Sequence, residues 1–372
     1  MNIVLFYHSL LSDWNHGNAH FLRGIATELI KRGNSVKIYE PKNNWSISNL
    51  IADNGKDVLA EFHDYYPQLT STAYDLNSID LNKILNDADL VIVHEWNEHA
   101  LVKMIGETKK KFGFKLLFHD THHRAITERS SMSNYDLSNY DGVLVFGECI
   151  RKIYLKHRWA KRAWTWHEAA DVRIFKPLKR KKTGDLIWVG NWGDEERTKE
   201  LFEFLIEPVE ELKLKAKIFG VRYPEHAKRA LKEAGIKYAG WLPNYKAPEV
   251  FASHRLTVHV PRRPYVEALP GIPTIRPFEA LACGIPLISA PWNDVEHLFT
   301  PGKDFIVANN KAEMKKWMKK ILNDEEFATQ LAQHGLQTIR SKHTCAHRVD
   351  ELYNICDELG VKNLEQNKII AQ

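Results

Sequence analysis

The residues best placed for chemistry lie in the run Ile275-Arg276-Pro277-Phe278-Glu279-Ala280-Leu281-Ala282-Cys283-Gly284-Ile285-Pro286-Leu287-Ile288-Ser289. Pro277 suits the first position of a helix, where its missing N–H has no partner in any case. Gly284 suits the position just past the helix end, and Pro286–Ser289 reads as a buried strand. This spacing puts Glu279 in the first helical turn, beside outward-pointing backbone N–H groups. Such a terminus attracts phosphate, and a carboxylate there can accept hydrogen bonds from sugar hydroxyls. A ribose joined to a diphosphate satisfies both features, which points to a nucleotide-sugar ligand.

Other candidates also fall where strands end. Arg262 and Arg263 follow the apolar strand Thr257–Val260 at its C-terminal end, where parallel sheets bind ligands. Guanidinium groups there can fork onto phosphate oxygens, or else form ordinary surface ion pairs. His119 and Asp120 follow Lys115–Phe118 in the same way, as acid–base candidates or as a strand-end histidine and a helix cap. The His119-Asp-Thr-His122-His123 cluster invites zinc, but ligands at that spacing need a helix and the stretch reads as a strand end. His16 and His20 lie on the loop and helix start after the first strand. Glu95, after the strand Leu90–Val93, is a reserve base. Trp96, Trp192 and Trp241 receive no role.

The elements that must position these residues alternate. Ile3–Phe6, a helix with Phe21, Leu22, Ile25, Ala26, Leu29 and Ile30 on one face, and Ser35–Tyr39 form a βαβ unit. Strands are expected at Asp89–His94, Lys115–His119 and Gly142–Phe146. Residues 43–86 are less regular and read as a lid or an acceptor-side insertion. Around 168–184 charge, proline and glycine mark a linker. A second alternating set follows: strands at Asp185–Val189, Ala216–Phe219 and Leu256–Val260, and helices at Leu201–Leu212, Glu225–Ala234 and near 311–322. The tail from Asn363 reads as loose.

Bulk properties bound the function class. The chain has 372 residues, enough for two domains, with 44% hydrophobic and 27% charged residues. Its net charge of +5, from 52 basic and 47 acidic residues, suits small anions and is too dispersed to argue for nucleic acid. At most it permits weak attachment to an anionic membrane surface. Four cysteines with no C-x-x-C pair read as reduced thiols. No apolar run is long enough to span a bilayer. The start lacks the pattern of a signal peptide, so a cytoplasmic location is expected.

Several segments together resemble the GT-B glycosyltransferases. They are Asn15-His16-Gly17-Asn18-Ala19-His20 with Phe21-Leu22-Arg23 and Lys31-Arg32-Gly33; Leu117-Phe118-His119-Asp120; Ala170-Asp171 through Pro177; Val189-Gly190 with Arg197; and Arg276–Ser289. The match is closest to the bacterial spore-maturation-protein-like group near the retaining family 4. The resemblance implies an α/β GT-B fold of two Rossmann-like domains, with parallel sheets facing across a cleft. It implies an acceptor-side domain over 1–170, a donor domain over 171–345, and over 346–372 a helix crossing back to the first domain plus the tail.

It further implies a nucleotide-diphosphate-sugar donor, transfer without metal or other cofactor, and an acceptor that is a small molecule, glycan or protein. On this pattern Gly190, Arg197, Arg262, Arg263, Gly271, Arg276, Phe278 and Glu279 contact the donor. Asn15, His16, Gly17 and Glu95 lie on the acceptor side, and His119, Asp120 and His20 are the catalytic candidates. Family 4 enzymes carry two glutamates separated by seven residues. Glu279 fits the second, but Gly271 stands at the first, so an acidic contact to the sugar is absent or comes from elsewhere. Retention, with the leaving phosphate helping to deprotonate the acceptor, is the favoured route. Inversion would need Asp120, His20 or Glu95 as base. A nucleotide-sugar 2-epimerase and a non-catalytic nucleotide-sugar-binding protein are the alternatives. An NAD-dependent dehydrogenase is disfavoured, because Asn15–Ala19 stands where a G-x-G-x-x-G turn is required.

Overall fold

Thirteen strands and the helices between them build two parallel sheets in the computed structural model, which describes residues 1–361. The expected loose tail from Asn363 lies outside the described residues. The chain divides into two units, one formed by Met1–His167 with the segment from Cys345, the other by Glu168–Thr344.

In the first unit the strands are β1 (Asn2–Phe6), β2 (Ser35–Pro41), β3 (Thr72–Tyr74), β4 (Leu90–His94), β5 (Lys115–Asp120), β6 (Gly142–Val145) and β7 (Ala163–Thr165). Their order across the sheet is β3-β2-β1-β4-β5-β6-β7, all parallel. β4, β5 and β6 are almost wholly buried, as their apolar runs require of a sheet covered by helices on both faces. Residues 43–86 resolve into the helix Trp45–Asn54, short turns, the edge strand β3 and the helix Leu81–Leu85. They complete the sheet instead of standing apart from it. Their irregular pattern reflects an edge strand of only three residues, too short for a period of two to register.

The helix Cys345–Glu358 belongs to this unit and packs on the helix Ala19–Lys31. Arg32 joins them, bonding Asp350 at 2.5 Å and the Ala346 carbonyl at 3.0 Å. Trp166 Nε1 donates to the Arg348 carbonyl at 2.8 Å.

The second unit contains β8 (Gly184–Val189), β9 (Ala216–Phe219), β10 (Lys237–Tyr238), β11 (His254–His259), β12 (Leu287–Ser289) and β13 (Ile306–Val307), ordered β10-β9-β8-β11-β12-β13 and all parallel. In each unit the order runs third, second, first, fourth, fifth, sixth, with a seventh strand, β7, added beyond β6 in the first unit. It therefore reverses direction between β1 and β4, and between β8 and β11. Crevices at such reversals, beyond the strands' C-terminal ends, are where α/β sheets bind ligands.

Two local expectations need correction. The helix expected over 201–212 starts earlier, at Thr198, and passes through a π-helical stretch, Phe202–Ile206, before Glu207–Leu212. The helix of the motif run starts at Ile275, not at Pro277. Pro277 is its third residue, still among the positions whose N–H would lack an intrahelical acceptor. Glu279 consequently lies beyond the first turn. Gly284 does end this helix, at φ +64.

Candidate functional site

At the β8/β11 reversal in the second unit, Arg276 is the centre of a group of charged and polar side chains. Its guanidinium pairs with Glu279, whose carboxylate is buried. Arg276 also acts electrostatically on Arg197, His259 and Glu168. The helix Ile275–Ala282 begins after Thr274, which has φ +59 and makes no side-chain cap bond to the helix start. The first-turn backbone N–H groups, which have no intrahelical acceptor, therefore receive none from the Thr274 side chain, and such a terminus suits an anion. A β-branched residue at positive φ is strained, and such strain persists where surrounding structure imposes it.

The basic residues divide by partner. Arg197 donates to three carbonyls, those of Asn191 at 2.6 Å, Val260 at 2.7 Å and Trp192 at 3.3 Å. It pins the loop after β8 to the end of β11. Burial and neighbouring Arg262 lower its pKa to about 9, which leaves it protonated at neutral pH. Arg262 pairs with Glu196 at 2.9 Å, and Arg263 donates to the Glu195 carbonyl. Three of the four arginines therefore hold the 191–197 loop, and Arg276 stands at the helix start.

Phe278 packs its ring against Phe299 and His343 in the core, so only its backbone faces the helix terminus. Gly190 accepts from the Tyr223 hydroxyl at 2.8 Å. Gly271 has φ +92, and a Cβ there would approach Glu296 Oε1 to 2.8 Å. A side chain there would be strained by the backbone angle and would crowd Glu296 and Val295, so glycine suits the position at which the two-glutamate pattern carries its first acid.

His259, at the end of β11, shows its tautomer through its neighbours. Ser289 Oγ donates to the Ala290 carbonyl at 2.7 Å, so it accepts from His259 Nδ1 at 2.9 Å. Nε2 is then a bare acceptor, and it has no partner among the described residues. Burial, with Arg197 and Arg276 nearby, lowers this pKa to about 3.

The β1/β4 reversal in the first unit carries a chain of buried imidazoles. His8 follows β1, His94 ends β4 and His119 lies in β5. Ring centroids separate His8 and His16 by 5.5 Å, His16 and His94 by 6.0 Å, and His94 and His119 by 5.5 Å. Burial depresses all four pKa values, His8 to about 4 and His119 to about 3, with His16 and His94 well below the usual imidazole range. His94 Nε2 meets Thr121 Oγ1 at 3.0 Å, and that hydroxyl donates onward to Glu95, so His94 Nδ1 is an acceptor. It is unpartnered among the described residues, like Nε2 of His8, His16 and His119. Among the described residues no group of His, Cys, Asp and Glu is arranged to hold a metal.

The carboxylates beside this chain are engaged within the fold. Asp120 accepts from the His122 backbone at 3.1 Å and the Tyr154 hydroxyl at 2.8 Å. Its pKa is raised, first by burial and then by Glu95. Glu95 accepts from Arg124 at 2.6 Å and from the Thr121 backbone at 3.0 Å. His20 is fully buried on the helix Ala19–Lys31. Asn15 takes φ +49 in the loop before that helix, and Gly17 is exposed. Arg23 holds the same loop, bonding Asp13 at 3.0 Å and the carbonyls of Leu10 and Leu11 at 2.8 and 3.1 Å.

The structure thus groups Gly190, Arg197, Arg262, Arg276 and Glu279 in one unit, and His16, Glu95, His119 and Asp120 in the other. Sequence reasoning passed over His8, Arg124, Glu168 and His259. The available signal for His8 and His259 was a polar residue closing an apolar strand run. Arg124 and Glu168 carried none.

Residues 196–354 match the family model described as glycosyl transferase-like. No curated protein matches the chain in sequence. Sucrose-phosphate synthase from Thermosynechococcus elongatus superposes with a TM-score of 0.64 at 13% identity, over 96% of this chain and 100% of that one. Anabaena HepE, solved with UDP and glucose, gives 0.66 at 10% identity over 96% and 100%. An α-glucosyltransferase, solved with UDP and a 13-mer DNA, gives 0.67 at 11% identity over 95% and 99%. The fold is that of the GT-B glycosyltransferases.

Proposed function

We propose that this GT-B protein, with its glycosyl transferase-like segment, transfers a sugar from a UDP-sugar to an acceptor hydroxyl, with retention and without metal. The observation that carries the reading is the uncapped start of the helix Ile275–Ala282, with Arg276 and Glu279 beside the β8/β11 reversal. The helix terminus and Arg276 would take the diphosphate, and Glu279 the ribose hydroxyls. UDP is favoured as the nucleotide because the solved relatives HepE and the α-glucosyltransferase bind it.

The first unit would supply the acceptor side, where neutral imidazoles with bare nitrogens suit hydroxyl groups. Retention is supported by the commitment of Asp120 and Glu95 to internal partners. Imidazoles with pKa values near 3 to 4 are also weak bases at neutral pH. Proton removal then falls to the leaving phosphate. The spore-maturation-like group remains the favoured subfamily. Free cysteines throughout the described residues fit a cytoplasmic reaction, and no described helix is long and apolar enough to cross a membrane. The acceptor is proposed as a small molecule, glycan or protein.

Thermal denaturation with UDP and UDP-sugars tests the donor site. A ligand at a hundredfold excess over its Kd adds about 2.7 kcal/mol of stability, raising the melting temperature by several degrees. Glu279→Gln, which conserves volume, should weaken UDP binding about tenfold and shrink that shift. A melting curve that no nucleotide or nucleotide sugar moves at millimolar concentration would sink the donor-site reading.

A further inference from the structure

Glu168 is a carboxylate to which the fold gives no partner. It is 2% exposed, and neither Oε1 nor Oε2 has a hydrogen-bond partner among the described residues. Burial raises its pKa well above the usual range, Glu279 adds to the rise, and Arg276 opposes it. A buried carboxyl without hydrogen bonds is costly, and native proteins keep few of them. The chain next to it is nonetheless firmly placed. Ala170 N–H donates to the His343 carbonyl at 2.9 Å, and Ala170 forms a bridge with Thr344. Ala170 and Phe175 also share a core with Phe278 and Ala280 of the motif helix. The backbone thus holds Glu168 by the helix start while its side chain stays unsatisfied.

Arg276 pairs with Glu279 and acts electrostatically on both Glu168 and His259. Two acceptor groups without partners, the Glu168 carboxyl and His259 Nε2, thus belong to one guanidinium-centred cluster. A diphosphate brings no donor for either acceptor, and a purely apolar ligand would leave both bare. A hydroxyl-bearing group satisfies them.

We infer that Glu168 accepts hydrogen bonds from the hydroxyl groups of the transferred sugar and thereby determines which sugar the site takes. The inference rests on the donor-site reading above. Gly271, where a side chain would be strained, leaves the role of an acidic sugar contact open to a residue from another element.

Calorimetric titration of wild-type protein and Glu168→Gln with UDP, UDP-glucose, UDP-galactose and UDP-N-acetylglucosamine tests this. The wild type should bind one UDP-sugar more tightly than UDP. Glu168→Gln should keep UDP affinity and lose about tenfold for that sugar, as expected for a hydrogen bond to a charged group. Its ligand-free melting temperature should equal or exceed the wild type's, because the amide conserves the volume and cannot ionise under the influence of Glu279. Glu168→Ala supplies a second variant for the same comparison.

Equal losses for UDP and UDP-sugar, unchanged UDP-sugar affinity, or a lower ligand-free melting temperature would overturn the inference. So would a wild type that binds every UDP-sugar no better than UDP, although the donor site would then stand. A wild type that binds none of the four would refute the donor site itself, and the inference with it.

Discussion

Acidification from neutral pH to about pH 5 should unfold this protein, with stability falling from about pH 6.5 downward. Five buried imidazoles, His8, His16, His94, His119 and His259, have folded-state pKa values depressed below 6.5. Above pH 6.5 they are neutral in both states and contribute no pH dependence. Below it the unfolded chain binds protons that the folded chain cannot, so stability is lost as pH falls toward the folded values. His8, His119 and His259, at about 4, 3 and 3, each lose about 2 kcal/mol by pH 5, and His16 and His94 act in the same direction.

Asp120 and Glu168 act in the opposite sense. Their raised pKa values make the folded state bind protons first, which returns part of the loss on acidification. The loss from His8, His119 and His259 together, about 6 kcal/mol, is comparable with the whole stability of a typical domain. Urea titrations between about pH 8 and pH 5 would measure the slope, and His119→Gln should reduce it by one proton. A flat urea midpoint between pH 7 and pH 5 would mean that these imidazoles are solvated.

The other large effect concerns the pair at the end of β4. Arg124→Met should cost about 3–5 kcal/mol, the usual penalty for stranding a buried charge. Glu95 is fully buried and its partner nearly so, with contacts of 2.6 and 3.1 Å to one carboxylate oxygen. The same guanidinium donates to the Glu95 carbonyl at 2.8 Å and lies 4.0 Å over the Trp96 ring. Adding Glu95→Gln should recover part of the loss, because the amide oxygen still accepts from the Thr121 backbone while the orphaned charge is gone. A double-mutant cycle in urea reads the coupling. If Arg124→Met costs less than about 1 kcal/mol, the pair behaves as a solvated surface bridge.

Much of the fold could be read along the chain. Apolar runs such as Leu90–Val93 and Leu116–Phe118 are local and unbroken, and each became a buried strand. Gly33 and Gly284 ended their helices at φ +80 and +64, conformations in which a side chain would clash with its own backbone. Glu279 and Arg276 stood out because helix spacing is itself local, three residues bringing them onto one face. The exact helix start did not, since Pro277 is acceptable at several positions of a first turn.

Sequence alone thus determined the strand–helix alternation and the strand-end location of most candidates, because both depend on neighbours a few residues apart. Tertiary structure decided which candidates retain bare polar atoms. Arg197 spends its donors on carbonyls as far as residue 260, and Asp120 bonds Tyr154 across 34 residues. His8, His94 and His119 meet because the sheet order places β1 beside β4 and β4 beside β5. Glu168 comes under the field of Arg276 from more than a hundred positions away. Hydrogen bonds and electric fields act through space, and no periodicity in the chain records which distant partner will satisfy a side chain or leave it unsatisfied.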